Sequence, residues 1–315
     1  MNALGGQKIP FLFVFDFLMQ QAFVIPLNEL NPEEIQYNIF GNGNQSIVEV
    51  ESRNEIVFSV KSPDFKRYTK AFDKVMFHLR HGDSYLLNLT MPVNINTNLG
   101  LFEIFYRSTA PYKLWIKDKI TVFSPEPFVK ILNGKIFSFP MKGTIDADLD
   151  NAEQKLLADP KELAEHYTIV DLIRNDLNRV STGVCVEKFR YIEKIHTHHK
   201  NLLQTSSMIS GVIPNDYAAN IGSIITTLLP AGSITGAPKK KTIEVILEAE
   251  QYDRAYYTGV FGVFDGQCLD SGVMIRFIEQ TPSGMVFKAG GGITVNSNVQ
   301  DEYNELLNKV YLPFV

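Results

Sequence analysis

The stretch FVKILNGKIFSF, Phe128 to Phe139, decides the fold class. Apolar residues crowd both sides of Asn133-Gly134, and that dipeptide suits the left-handed backbone of a two-residue hairpin turn. A chain that reverses there pairs with itself antiparallel. The same pattern runs outward in both directions: SYLLNLTM, KLWIKD and ITVFS lie upstream, and FDGQ sets a second tight turn inside AYYTGVFGVFDGQCLDSGVMIRFIEQ, followed by GMVFKAGGGITVN. SIVEV and EIVFSV extend the strand pattern toward the N-terminus. Between these runs the period lengthens to that of helices in FKRYTKAFDKVMFHLRHG, PKELAEHYTIVDLIRNDLNRV, APKKKTIEVILEAEQY and QDEYNELLNKVYL. Strands and helices come in mixed order rather than in βαβ alternation, so the class is α+β with large antiparallel sheets. The polar run DADLDNAEQ, Asp146 to Gln154, reads as an exposed loop. No repeat or low-complexity linker divides the chain. It reads as a single domain over 1–315, with 1–64 a short β-rich segment.

With 315 residues, 45% of them hydrophobic, the chain can bury a sizeable core. A net charge of -5, with Lys239 to Lys241 the only basic run, excludes a nucleic-acid surface. The N-terminal run IPFLFVFDFLMQQAFVIPL is broken by Asp16, Gln20 and Gln21 and reads as buried strand rather than leader. No apolar run reaches the roughly 18 residues of a membrane span. Cys185 and Cys268 lie far apart in neutral surroundings, which fits a reducing, cytoplasmic compartment.

Several motifs carry chemistry without deciding it. Glu302 and Glu305 share a helix face, as do Glu162 and Glu165. Such pairs are ordinarily solvated faces, but carboxylates without His or Cys nearby also suit hard Mg²⁺. AGGGITV and PAGSITGAPKKK are either backbone bends or rows of free amides that hold an anion. His196, His198 and His199 read as an exposed polar stretch rather than metal ligands.

In order along the chain, GDSYLLNLT, FSPEPFVKI, FPMKGTI, AEHYTIVDLIRNDLNRV, LLPAGSITGAPKKKTIEVI, RAYYTGVFG, DSGVMIRF and GGGITVNSNVQDEYNELLNKV resemble the chorismate-utilising family of anthranilate, aminodeoxychorismate, isochorismate and salicylate synthases. The resemblance spans roughly Phe65 to the C-terminus. It implies two antiparallel sheets packed face to face with helices outside, and chorismate as substrate. The residue before Gly-Thr divides this family, and lysine there, Lys142, resembles the aminodeoxychorismate synthases. The resemblance implies Lys142 as nucleophile and Glu126 as general acid. It implies Mg²⁺ on Glu165, Glu302 and Glu305 with Glu162 beside them, and substrate contacts from Thr144, Tyr257, Arg276, Gly291, Gly292 and Lys309. A lysine held in a partly desolvated site loses some of its preference for the charged form and can attack as a neutral amine.

Two positions depart from the family pattern. Phe277 follows Arg276 where threonine is usual, and Gln204 stands where a histidine is frequent. Glutamine cannot act as a base at neutral pH, which favours a synthase that stops before aromatisation. Neither cysteine sits in a Gly-x-Cys-x-Gly elbow, so ammonia is expected from a separate glutamine amidotransferase subunit. The N-terminal region that forms a tryptophan pocket in longer relatives is expected to be missing, and with it feedback by tryptophan. An isochorismate- or anthranilate-type synthase, or a non-catalytic chorismate- or partner-binding subunit, are the alternatives.

Overall fold

The structure, a computed structural model, describes residues 1–45, 55–196 and 201–314. Ser46 to Val50, read above as a strand, and His198 and His199 lie outside the described residues. The hairpin forms at the expected place: strands Pro127–Leu132 and Lys135–Ser138 pair with Leu132 opposite Lys135, across Asn133 (φ 51) and Gly134 (φ 74). The second turn likewise joins Val260–Phe264 to Leu269–Val273.

Among the described residues these hairpins grow into two antiparallel sheets of nine strands each. The first runs Met141–Asp146, Asn201–Val212, Lys135–Ser138, Pro127–Leu132, Leu269–Val273, Val260–Phe264, Phe11–Phe15, Ala22–Pro26, with Thr182–His196 also on Asn201–Val212. The second runs Gly236–Ala237, Leu86–Thr97, Gly284–Ile293, Phe277–Thr281, Ile120–Ser124, Tyr112–Ile116, Ile35–Ile39, Asn42–Gly43, with Phe58–Lys61 also on Leu86–Thr97.

The apolar layers follow from strand alternation. Leu12, Val14 and Phe261 of one sheet meet Leu114, Val122 and Phe277 of the other. The outer face of the first sheet is covered by helices Pro160–Asn178 and Ile221–Leu228, through Ile169, Ile173, Ile224 and Ile225. The outer face of the second is covered by Phe65–Arg80, Lys239–Glu250 and Val299–Asn308, through Val75, Ile246 and Leu306. All five residues of Phe11–Phe15 are buried, so the N-terminal run is core strand.

The polar run after Thr144 is not all loop. Ala152–Ala158 is a helix, because Ala152 and Leu156, one turn apart, both find buried sites. Among the described residues no helix is long and apolar enough to cross a membrane.

Candidate active site

Lys142 lies on strand Met141–Asp146, where Gly143 (φ 78) makes a bulge against Asn201–Val212 between Lys142 and Thr144. Bulges re-aim side chains, and this one sits beside two helix carboxylates. Lys142 Nζ is 3.1 Å from Glu165 Oε2. A Cβ on Gly143 would stand 2.9 Å from Glu162 Oε2, so Glu162 backs the bulge. The hydroxyl of Thr205 donates to the Lys142 carbonyl and fixes the strand from the other side. Neighbouring His166 is fully buried with Nε2 2.6 Å from Ser207 Oγ, and burial pushes its pKa down to about 4.

The glycine strand Gly284–Ile293 joins this group to the C-terminal helix. A Cβ on Gly292 would lie 3.1 Å from Lys142 Nζ. One on Gly291 would lie 3.4 Å from Glu302 Oε2, 3.4 Å from Glu305 Oε1 and 3.6 Å from Lys309 Nζ. Helix Val299–Asn308 is capped by Asn298, which accepts from Gln300 N and Asp301 N. Its Glu302 is buried and accepts from Ser297 Oγ at 2.7 Å, while Lys309 Nζ donates to Glu305 Oε1 at 2.6 Å and to the Gly290 carbonyl at 2.9 Å.

Glu126 sits at the start of the central hairpin and accepts from Ser233 Oγ at 2.5 Å. Ser233 belongs to the one-turn helix Gly232–Thr235. A second contact sets that turn: Asp176 pairs with Lys239 at 2.6 Å, and Lys239 Nζ also donates to the Leu228 carbonyl at 2.7 Å. A Cβ on Gly232 would stand 3.0 Å from Asp176 Oδ2, so any larger residue would press on the Asp176 carboxylate. Ser233, Asp176 and Lys239 were not singled out from sequence. The run PAGSITGAPKKK carries the signal for Ser233 and Lys239, a serine and a lysine that flank a glycine turn, while Asp176 lies in the separate segment DLIRNDLNRV.

The charges are unequal in their effect. Burial pushes the Glu126 carboxyl up, against the Ser233 hydrogen bond and the Lys142, Arg276 and Lys309 cations, which favours the neutral acid. Burial alone would also favour a neutral amine at Lys142, but Glu165, Glu162 and Glu305 outweigh it and its pKa is raised. The weakened preference for charge expected of Lys142 is therefore reversed: the carboxylates around it favour the ammonium. Lys309 is lowered, burial outweighing Glu305.

Tyr257 is buried with its ring 5.7 Å from that of Phe277. Arg276 takes a left-handed conformation (φ 51), and its guanidinium lies 5.5 Å over the Tyr311 ring, with Nε 3.3 Å from Tyr311 Oη. Phe277 is fully buried in the layer between the sheets, so the threonine hydroxyl missing there is replaced by core packing. Thr144 is exposed and pairs with Gln204 in register, which brings the second departure to the edge of the same site.

The carboxylates Glu165, Glu302 and Glu305 supply oxygen donors alone, the set that suits Mg²⁺, and the glycines beside them leave room that a Cβ at Gly291 would fill. Lys142 and Lys309 now hold two of these carboxylates, and among the described residues no three acidic, His or Cys side chains are gathered into a ready cage.

The family model described as chorismate binding enzyme matches residues 20–313. An uncharacterized PabA-like protein of Haemophilus influenzae is 49% identical over 313 residues, which cover 99% of this chain and 94% of the relative. Aminodeoxychorismate synthase component 1 of Salmonella typhimurium is 33% identical over 259 residues, covering 77% of this chain and 56% of the relative. The structure of MenF, the menaquinone-specific isochorismate synthase of Escherichia coli, matches with a TM-score of 0.74 at 15% identity, over 96% of this chain and 77% of that one. At that identity the likeness is one of fold.

Proposed function

This chain belongs to the chorismate binding enzyme family, and from that premise we propose that it is an aminodeoxychorismate synthase component I. It would convert chorismate and ammonia to 4-amino-4-deoxychorismate, the precursor of para-aminobenzoate and folate, with 1–315 acting as one catalytic domain. The observation that supports the reading is the amine of Lys142 at the Gly143 bulge, next to the glycine backbone of the second sheet and near Glu126, whose carboxyl burial pushes up.

The chemistry follows from the hydroxyl at C4 of chorismate, a very poor leaving group. Lys142 gives up a proton, for which Glu165 Oε2 at 3.1 Å is the acceptor at hand. Its lone pair then forms a bond to ring carbon C2, the two ring double bonds shift, and the C4 hydroxyl takes the Glu126 proton and leaves as water. Ammonia next bonds to C4, the double bonds shift back, and the C2–N bond to Lys142 breaks. Arg276, Lys309, Tyr257, Thr144 and the amides of Gly291 and Gly292 would hold the two carboxylates of the substrate. Mg²⁺ on Glu165, Glu302 and Glu305, with Glu162 beside them, would neutralise the ring carboxylate when bound. Gln204 supports a product that is not aromatised, because an amide takes no proton from the ring.

Ammonia would come from a separate amidotransferase. Burial pushes the Cys268 thiol up, which opposes a nucleophilic thiolate, and Cys185 has Ser210 Oγ, not a base, at 3.9 Å. Lys142→Ala tests the reading. We expect it to lose 4-amino-4-deoxychorismate and leave slow, C2-substituted products, since water or ammonia replaces a tethered amine. Formation of the 4-amino product at the wild-type rate under saturating ammonia would contradict it.

A further inference from the structure

Asn88 lies in the middle of strand Leu86–Thr97, directly opposite Gly292 in the antiparallel register. Directly opposed residues project on one face, so the side chain of Asn88 leaves the sheet on the face where a Cβ of Gly292 would stand 3.1 Å from Lys142 Nζ and 3.3 Å from Leu86 Cδ1. Opposed Cβ positions are about 5 Å apart, which puts the carboxamide of Asn88 within reach of the Lys142 amine. Its Oδ1 is out of solvent and finds no hydrogen-bond partner among the described residues. A buried carbonyl left unmade is costly.

The backbone around this carbonyl is held unusually hard. Arg254 donates from Nη2 to the Asn88 carbonyl at 2.6 Å and pairs with Glu250 at 2.5 Å. Glu250 Oε1 accepts from both Thr90 N at 2.8 Å and Thr90 Oγ1 at 2.9 Å. Arg254 and Glu250 are each buried, at 2% exposure, and Arg254 also lies 4.5 Å over the Phe17 ring. A buried ion pair thus clamps the strand at Asn88 and Thr90, on either side of Leu89, while the one polar side chain between Leu86 and Thr90 on that face is left without a partner.

We infer that Asn88 is a positioning residue: its Oδ1 accepts a hydrogen bond from the Lys142 amine when that amine turns from Glu165 toward the ring. The inference rests on Lys142 being the nucleophile. Asn88→Leu keeps the branching and heavy-atom count of the side chain and removes the unpaired carbonyl, so the folded protein should melt at the same or a higher temperature. Its kcat for chorismate consumption should fall roughly tenfold or more with KM little changed, as expected for lost orientation rather than lost binding. A readout free of substrate accompanies this: the rate of labelling of Lys142 by trinitrobenzenesulfonate, mapped by mass spectrometry, should change several-fold (on the order of the kcat loss), because a hydrogen-bond acceptor of the amine is gone. Asn88→Ser is measured alongside with the same expectations for kcat, KM and labelling, so that a leucine variant that fails to fold leaves the test intact. Unchanged kcat in either folded variant overturns the inference, and so does a lower kcat with unchanged labelling, which would assign Asn88 to the substrate instead. Altered labelling in variants of a protein that forms no 4-amino-4-deoxychorismate would keep Asn88 as the partner of Lys142 and overturn the amination reading alone.

Discussion

On the proposed chemistry, a carboxylic acid that would have to stay protonated and a lysine that would have to lose a proton are held in one site by different means. Burial does the work for Glu126, and Ser233 opposes it by stabilising the charged form. Removing that hydroxyl in Ser233→Ala should therefore raise the Glu126 pKa further. A general acid fails once it ionises, so the alkaline limb of the kcat/KM profile should move to higher pH. Glu126→Gln, which has no proton to give, should cost about 10²–10⁴-fold on the acid side of that limb, and the cost should shrink above it where the wild-type carboxyl has itself ionised. A limb that shifts downward in Ser233→Ala would mean that the hydroxyl stabilises the neutral acid. Lys142 and Glu126, which the structure brings near one another, could be picked out in the sequence as motif positions, a lysine before Gly-Thr and a glutamate in Ser-Pro-Glu-Pro. The charge state of Lys142 was not, since it depends on Glu165, Glu162 and Glu305, which come from elements up to 163 residues further along. Ser233 and the Asp176–Lys239 pair were hidden for a similar reason: each acts through a partner distant in sequence.

At the scale of elements, glycine backbone controls how closely the strands and the catalytic groups approach. Gly292→Ala would set a Cβ 3.1 Å from Lys142 Nζ, the far end of a flexible side chain. The amine should give way. We expect a stability change within about 1 kcal/mol and a loss of roughly 10–100-fold in kcat. Gly236→Ala is the opposite case: at φ 119 its Cβ would meet the Leu86 carbonyl oxygen at 1.7 Å, and backbone cannot give way so easily. Thermal or denaturant unfolding should show a loss of more than about 2 kcal/mol. Equal stability in the two variants would contradict this account of the glycines. The tight hairpins could be read from sequence because Asn133-Gly134 and Asp265-Gly266 carry their own conformational signal. Helix Ala152–Ala158 could not, because a run of acidic and amide residues hides two apolar positions whose burial is supplied by the strands they pack on. The bulge at Gly143 has no local signature either, as it is defined only by the register with Asn201–Val212.

In the whole molecule, two sheets share one apolar layer and each carries its own helices, and the site gathers groups from both: Lys142 and Glu126 from the first, Gly291 and Gly292 from the second. Alternation and turn signals made the antiparallel class legible, but the order of strands within each sheet rests on pairings such as Phe11–Phe15 with Val260–Phe264, which join chain ends and have no marker in sequence. The division of labour with an amidotransferase is tested on the intact chain. Ammonium at alkaline pH, where more free ammonia is present, should support turnover, and glutamine should do so only when an amidotransferase subunit is added. Product from glutamine and this chain alone would place the glutaminase within it. The central claim meets its most direct test in the identity of the product: purified protein incubated with chorismate, Mg²⁺ and isotopically labelled ammonium, and the products resolved by mass spectrometry. The account predicts 4-amino-4-deoxychorismate carrying the label. Isochorismate, anthranilate or unconsumed chorismate would contradict it.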